Sequence, residues 1–380
     1  MSDATTINPD AFASRWHALA SRALDDHQLT PDEGLAILRS DDRELLDLLA
    51  AAYRVRHRWF GNRVDLNFLI NAKSGLCGED CGYCSQSRVS KAEIPRYHLV
   101  TADEILDGAR IAAQRKAKTY CAVISGRSPT DQELDTLSQV VPQVKATYGL
   151  KICFSVGLLS VEQARRLKGA GVDRINHNLN TSQRFYSQIC TTHSYQDRLA
   201  TLEAVRQAGL EICSGGIVGM GEEDADVVEL ALRLGRLRAE AVPINFLLPI
   251  AGIPLAHISH NTKQVVGSVP LLRGSSAGHP PSHSTACKQA VAHGGDECGF
   301  EEVSPLNPRY CLKVLALFRL ANPRCELRIA AGRELHLGPL QPLGLYAANS
   351  IFVGGYLTTG GQAPEEDYRM IEALGFSIAR

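Results

Sequence analysis

From about residue 64 onward, short β-rich runs alternate with helical patterns, and this alternation constrains the fold more than any other feature of the chain. The β-rich runs fall at 65–71, 119–125, 150–156, 174–179, 211–218, 242–248, 327–331 and 350–353. Apolar residues at helical spacing fill most of the intervals, at 102–116, 131–148, 161–169, 195–208, 223–238 and 308–320. Eight strands alternating with helices predict an α/β fold: a parallel (β/α)8 TIM-type barrel. An open doubly wound sheet is the alternative, but its first strand leads into a glycine-rich phosphate turn. Here the first run leads into a cluster of cysteines. Residues 1–63 read as an N-terminal helical extension. Thr30, Pro31 and Glu33 give an N-cap, a first helical proline and a capping-box partner, and 44–59 carries leucine and alanine at helical spacing. The barrel is expected over 64–380, interrupted at 257–304 by a segment without period and rich in Ser, Gly, His and Pro. Loops of that length are uncommon inside a compact domain, so it reads as a flexible insertion. Its His279, His283, Cys287, His293 and Cys298 match no familiar zinc spacing.

Composition removes several classes of function. The 380 residues carry 40 basic and 41 acidic side chains, a net charge of −1. A binder of nucleic acid or of an anionic membrane would show a basic excess. The first thirty residues contain no apolar run behind a basic start. The longest uncharged apolar stretch, 241–256, is broken by prolines and Asn245 and is too short to span a bilayer. A cytoplasmic protein is expected, and in a reducing compartment its 11 cysteines need another explanation than disulfides.

Cys77, Cys81 and Cys84 supply one. At C-x3-C-x2-C spacing, with Gly78 and Gly82 between them, they can wrap a short loop around one metal centre. Thiolates are the usual ligands of iron–sulfur clusters, normally four of them. The next cysteine is Cys121, so a cluster held here keeps one iron open, and an open position implies something that binds there. A structural zinc site or a purely electron-transferring cluster are the competing readings, and zinc lacks a fourth ligand within the loop. Cys121, Cys153 and Cys213 then fall mid-strand on the second, third and fifth runs, with Arg328 on the seventh, Asn178 on the fourth and Asn245 on the sixth. Any one such cysteine is ordinarily a small buried core residue. As a set they share one barrel interior, which branched apolar side chains normally fill. A buried arginine there is costly without an anion beside it, and a thiolate-held cluster is such an anion. Cys190, Cys311 and Cys325 read as packing residues.

The spacing of Cys77, Cys81 and Cys84, with Tyr83 before the last, resembles the radical S-adenosylmethionine (SAM) superfamily. Longer stretches narrow this: 176–182 (NHNLNTS), 213–222 (CSGGIVGMGE), 328–334 (RIAAGRE) and 346–352 (YAANSIF) resemble the biotin synthase family. The resemblance implies that Cys77, Cys81 and Cys84 hold a [4Fe–4S] cluster whose open iron is chelated by SAM. It implies that Cys121, Cys153, Cys213 and Arg328 hold a [2Fe–2S] cluster whose sulfide enters dethiobiotin to form biotin. By position, Tyr83, Asn178, Asn180 and Arg198 correspond to residues near SAM, and Asn178 and Asn245 to residues near the substrate. Asn180 departs from members with aspartate there, although an amide still donates and accepts hydrogen bonds. No catalytic residue beyond the cofactor ligands is implied. A reductant such as flavodoxin or ferredoxin and a homodimer come with the family. Two alternatives stay open: another radical-SAM barrel enzyme without sulfur insertion, or a non-catalytic iron–sulfur relative impaired by the insertion.

Overall fold

The computed structural model of the protein describes residues 9–259 and 306–379. The segment read as an insertion, 257–304, lies outside the described residues from 260 onward, as do His279, His283, Cys287, His293 and Cys298.

Among the described residues ten strands build the sheet: β1 Arg63–Lys73, β2 Thr119–Ile124, β3 Lys151–Ser155, β4 Arg174–Asn176, β5 Glu211–Cys213, β6 Gly216–Val218, β7 Ala241–Phe246, β8 Glu326–Ile329, β9 Ser350–Phe352 and β10 Ser377–Ile378. Every pairing between them is parallel, and β9 pairs back onto β1, which closes the barrel. The fifth expected run is divided into β5 and β6, so the barrel still has eight staves. The division has a steric cause. A Cβ on Gly215 would lie 1.8 Å from the carbonyl oxygen of Pro243, so the backbone passes too close to β7 for any side chain. At the same point the Asn178 carboxamide accepts from Gly215 N–H at 3.0 Å. The fourth run is shorter than expected for a related reason. Beyond Asn176, pairing passes to isolated bonds such as Asn180 N–H to Gly215 O at 3.0 Å, and Asn180 adopts a left-handed φ of 70°, a conformation asparagine tolerates.

The helices start where side-chain caps occur. Thr30, Thr101, Thr130, Ser160 and Ser194 each accept from the backbone three residues on, and the residue there bonds back. This satisfies amide groups that helix starts leave unpaired. The helices expected at 102–116, 131–148, 161–169, 195–208, 223–238 and 308–320 run as Ala102–Gln114, Asp131–Tyr148, Val161–Gly169, Tyr195–Gln207, Asp224–Leu237 and Pro308–Ala321. In the extension, helices Pro9–Leu24 and Leu45–Phe60 pack on each other and on Pro308–Ala321, and Pro31–Leu38 packs on Pro308–Ala321 and Asp224–Leu237. Trp16, Ile37, Leu48 and Val55 join a core continuous with the barrel's. Arg56, fully buried, donates to Ala348 O at 2.9 Å and Arg63 O at 3.0 Å and ties the extension to the barrel. Among the described residues no helix is long and apolar enough to cross a membrane.

Candidate active site

Side chains facing the barrel interior stack in floors, set by the period-two alternation along parallel strands. The middle floor contains Cys121, Cys153 and Cys213, which with Ala241 form a buried cluster separate from the main core, flanked by Leu69 and Phe352. Cys121 and Cys153 are direct register partners across β2 and β3. Cys213 accepts from Asn176 Nδ2 at 3.2 Å. Hydrogen bonding among the three thiols, together with burial, pushes Cys153 and Cys213 well above the usual thiol range. As free thiols Cys153 and Cys213 stay protonated, and it takes a thiophilic metal to hold such groups as thiolates. The donor set fits an iron–sulfur centre.

Arg328 belongs to the same floor, its guanidinium 4.9 Å from the Phe352 ring centroid. Its charge was expected to need a cluster as counter-ion, but the protein provides one itself. Arg328 Nη2 donates to Glu326 Oε1 at 2.6 Å, and Glu326 Oε2 accepts from Arg174 Nη1 at 2.7 Å. Arg174, Glu326 and Arg328 are all buried. The sequence reading missed Arg174 and Glu326. The signal was present in the same alternation: 326 shares a face with 328, 211 with 213, and 174 with 176.

The upper floor opens onto the C-terminal ends of the strands, where barrel active sites lie. A cavity of about 370 Å³ reaches from the cysteine loop after β1 down to the middle floor. Cys77, Cys81 and Cys84 line its mouth, and Cys121, Cys153 and Arg328 line its base. Burial pushes the Cys77 thiol up and takes Cys84 to about 11, so these three also suit a metal centre that draws thiolates. The loop is fastened by the end of helix Tyr186–Ile189 and the segment that follows it. Gly82 N–H donates to Ile189 O at 2.9 Å, and Asp80 accepts from Thr191 N–H at 2.9 Å. Burial opposes ionisation of Glu79, but hydrogen bonds from Thr192 and His193 hold it below the usual carboxylate range.

Between mouth and base lie the other expected residues. Asn180 Nδ2 donates to the Tyr83 hydroxyl at 2.6 Å. Arg198 donates through Nη1 to Asn178 O at 2.7 Å and through Nε to the Tyr186 hydroxyl. Tyr83, Asn178, Asn180 and Arg198 therefore form one wall of the cavity. Asn245 lines it too, but its amide clamps two strands, donating to Gly216 O and accepting from Ala331 N–H, both at 3.1 Å. One N–H and one lone pair stay available. The buried Ser125 Oγ and His177 Nε2 line the same cavity with no hydrogen-bond partner, as a pocket built for a polar ligand leaves them.

Cys190, read as a packing residue, touches the site directly. Its sulfur lies 3.7 Å from Cys81 Sγ and 3.3 Å from His193 Nδ1. Cys81, Cys190 and His193 could be drawn as a metal trio. Both imidazole nitrogens are already engaged, however, Nδ1 with Glu79 at 2.5 Å and Nε2 with Arg198 Nη2 at 2.9 Å. The trio is a hydrogen-bonded brace under the cysteine loop. Cys311 and Cys325 are buried in the main core, as read.

Comparison with known proteins agrees with this architecture. Residues 73–234 match the Radical SAM superfamily, and 282–377 match the Biotin and Thiamin Synthesis associated domain. Membership of the radical SAM superfamily carries a [4Fe–4S] cluster and SAM. Among solved structures, methylornithine synthase (PylB) shares the fold at a TM-score of 0.69 and 19% identity, covering 95% of this chain and 97% of that one. The hydrogenase maturase HydG from Carboxydothermus hydrogenoformans does so at 0.70 and 16%, covering 97% and 79%. Sequence likeness is far closer elsewhere. Biotin synthase of Rhodopirellula baltica is 47% identical over 96% of this chain and 89% of its own length. That of Anoxybacillus flavithermus is 49% identical over 96% and 97%, and that of Bacillus subtilis 46% over 96% of each. Likeness at that level, running through nearly the full length of both partners, places the protein: the chain belongs to the biotin synthase family.

Proposed function

We propose that the protein converts dethiobiotin to biotin, with a [4Fe–4S] cluster on Cys77, Cys81 and Cys84 and a [2Fe–2S] cluster on Cys121, Cys153, Cys213 and Arg328. The observation that carries this reading is a single cavity with one thiol set at its mouth and another at its base. The reaction needs that separation, because the substrate must lie between the group that activates its C–H bonds and the group that gives up sulfur. Together the clusters and SAM supply one-electron chemistry and sulfide, which side chains cannot. The chain's own residues do the rest. The Tyr83–Asn180–Arg198 wall orients SAM at the cysteine loop. Asn178 and the spare N–H of Asn245 meet the polar end of dethiobiotin. Buried strands on every side exclude water from reactive species.

A small protein reductant such as flavodoxin or ferredoxin, a homodimer and a cytoplasmic setting belong to the same proposal. The decisive experiment is anaerobic reconstitution with iron and sulfide, followed by assay with dethiobiotin, SAM and reductant. Cys153→Ala is expected to keep the outer cluster and SAM cleavage while biotin formation disappears. Sustained biotin formation by Cys153→Ala would refute the inner-cluster assignment.

A further inference from the structure

The lowest floor of the barrel is charged where such floors are normally filled by branched apolar residues. Glu326 sits at its centre. One carboxylate oxygen accepts from Arg328 Nη2 at 2.6 Å and from the Ser350 hydroxyl at 2.8 Å. The other accepts from Arg174 Nη1 at 2.7 Å. Arg328 Nε reaches Ser350 Oγ at 3.3 Å, so Nε and Nη2 are both committed to Ser350 and Glu326. Arg174 stands in register with Cys153 across β3 and β4, and its other side is held by Glu211 at 2.8 Å, itself paired to Lys151. The line Lys151–Glu211–Arg174–Glu326–Arg328 thus sets three cations against two anions. Two of its cations lie within electrostatic reach of the thiols, Arg174 of Cys153 and Cys213, and Arg328 of Cys121 and Cys213.

We infer that Glu326 is a positioning residue for the inner centre, fixing the Arg328 guanidinium beside the three sulfurs and holding Arg174 near them as an uncoordinated cation. The inference rests on the proposed ligand set Cys121, Cys153, Cys213 and Arg328, and goes beyond it by giving roles to two residues that touch no metal. Burial makes the arrangement consequential. Charges in a low-dielectric interior act strongly on their neighbours, and the reduction potential of an iron–sulfur centre follows nearby charge and hydrogen bonds. A carboxylate withdrawn from this floor raises the potential. A guanidinium withdrawn lowers it.

The test uses the full chain with Cys77, Cys81 and Cys84 changed to Ala, so that only the inner centre can be reconstituted. Iron per chain, the visible and electron paramagnetic resonance spectra, and the reduction potential are measured. Glu326→Gln is expected to retain the centre, alter its spectrum and raise its potential. Arg174→Met is expected to lower the potential, and Arg174→Lys to restore it towards the parent value. Opposite shifts from the two partners of one ion pair are a signature that loosened packing does not produce. Unchanged potentials in both variants, or shifts of the same sign, would overturn the inference. If Glu326→Gln does not fold, the Arg174→Met and Arg174→Lys pair decides alone. A Cys153→Ala chain that kept the inner spectrum would instead sink the ligand assignment, so the two failures are distinguishable.

Discussion

At the scale of single residues, the site depends on side chains whose polar atoms are already in use. Tyr83 is the clearest case. Its hydroxyl accepts from Asn180 and lies 3.5 Å from Arg198 Nη2, between the second and third cysteines of the loop. Tyr83→Phe leaves a buried amide donor without its acceptor, at a cost of about 1–3 kcal/mol. SAM affinity, read by equilibrium binding to the reconstituted chain, is expected to fall about tenfold while iron content stays the same. Gly215 is constrained by space rather than by bonds. With Pro243 O at 1.8 Å from a would-be Cβ, Gly215→Ala must push β6 from β7, and overpacking of that kind costs about 3 kcal/mol. The urea midpoint of the metal-free chain is expected to drop accordingly. Both residues stand inside motifs legible in the sequence, but the chain alone does not say that the tyrosine hydroxyl braces the wall or that the glycine marks a strand crossing.

At the scale of elements, boundaries follow local chemistry closely. The capping boxes at Thr30, Thr101, Thr130, Ser160 and Ser194 are short-range signals, so helix starts could be read without knowing the fold. The box at Thr30 also gives a pH dependence. Burial works to raise the Glu33 pKa, but bonds from Thr30 N–H, His27 and Arg22 outweigh it and bring the value from 4.5 to about 2. A carboxyl with a depressed folded-state pKa contributes stability above its unfolded pKa, and that contribution is lost as pH falls through the folded value. Helix Pro31–Leu38 should therefore lose support between about pH 4.5 and 2. The drop in urea midpoint across that window is expected to shrink in Glu33→Gln. Strand ends were less legible. The shortened β4 arises because Asn178 and Asn180 pair with a neighbouring stave, and the divided β5/β6 because Gly215 passes close to Pro243, tertiary events with no local signature.

At the scale of the molecule, one core runs from the helical extension through the barrel, and Arg56 fastens the two. Burial, helped by nearby Arg319, brings its pKa down to about 10, so it remains a cation at neutral pH and needs the carbonyls it bonds. Arg56→Ala strands Ala348 O and Arg63 O in the interior, at about 3 kcal/mol or more. The thermal midpoint is expected to fall while the spectrum of a reconstituted outer cluster is unchanged, because the fastening lies away from the cavity. By itself the sequence determined the alternation of strands and helices, hence the barrel. It also determined the positions of six cysteines and one arginine, because strand period puts alternate residues on one face and C-x3-C-x2-C closes a loop locally. Closure of the ring alone brings Cys121 and Cys153 into one cavity with the three thiols of the loop. It alone placed Cys190 against Cys81, and it alone made Glu326 the counter-ion of two arginines on different strands. Cys81 to Cys190 and Arg174 to Glu326 join residues more than a hundred positions apart in the chain, and such contacts exist only once the eight staves have closed into a ring.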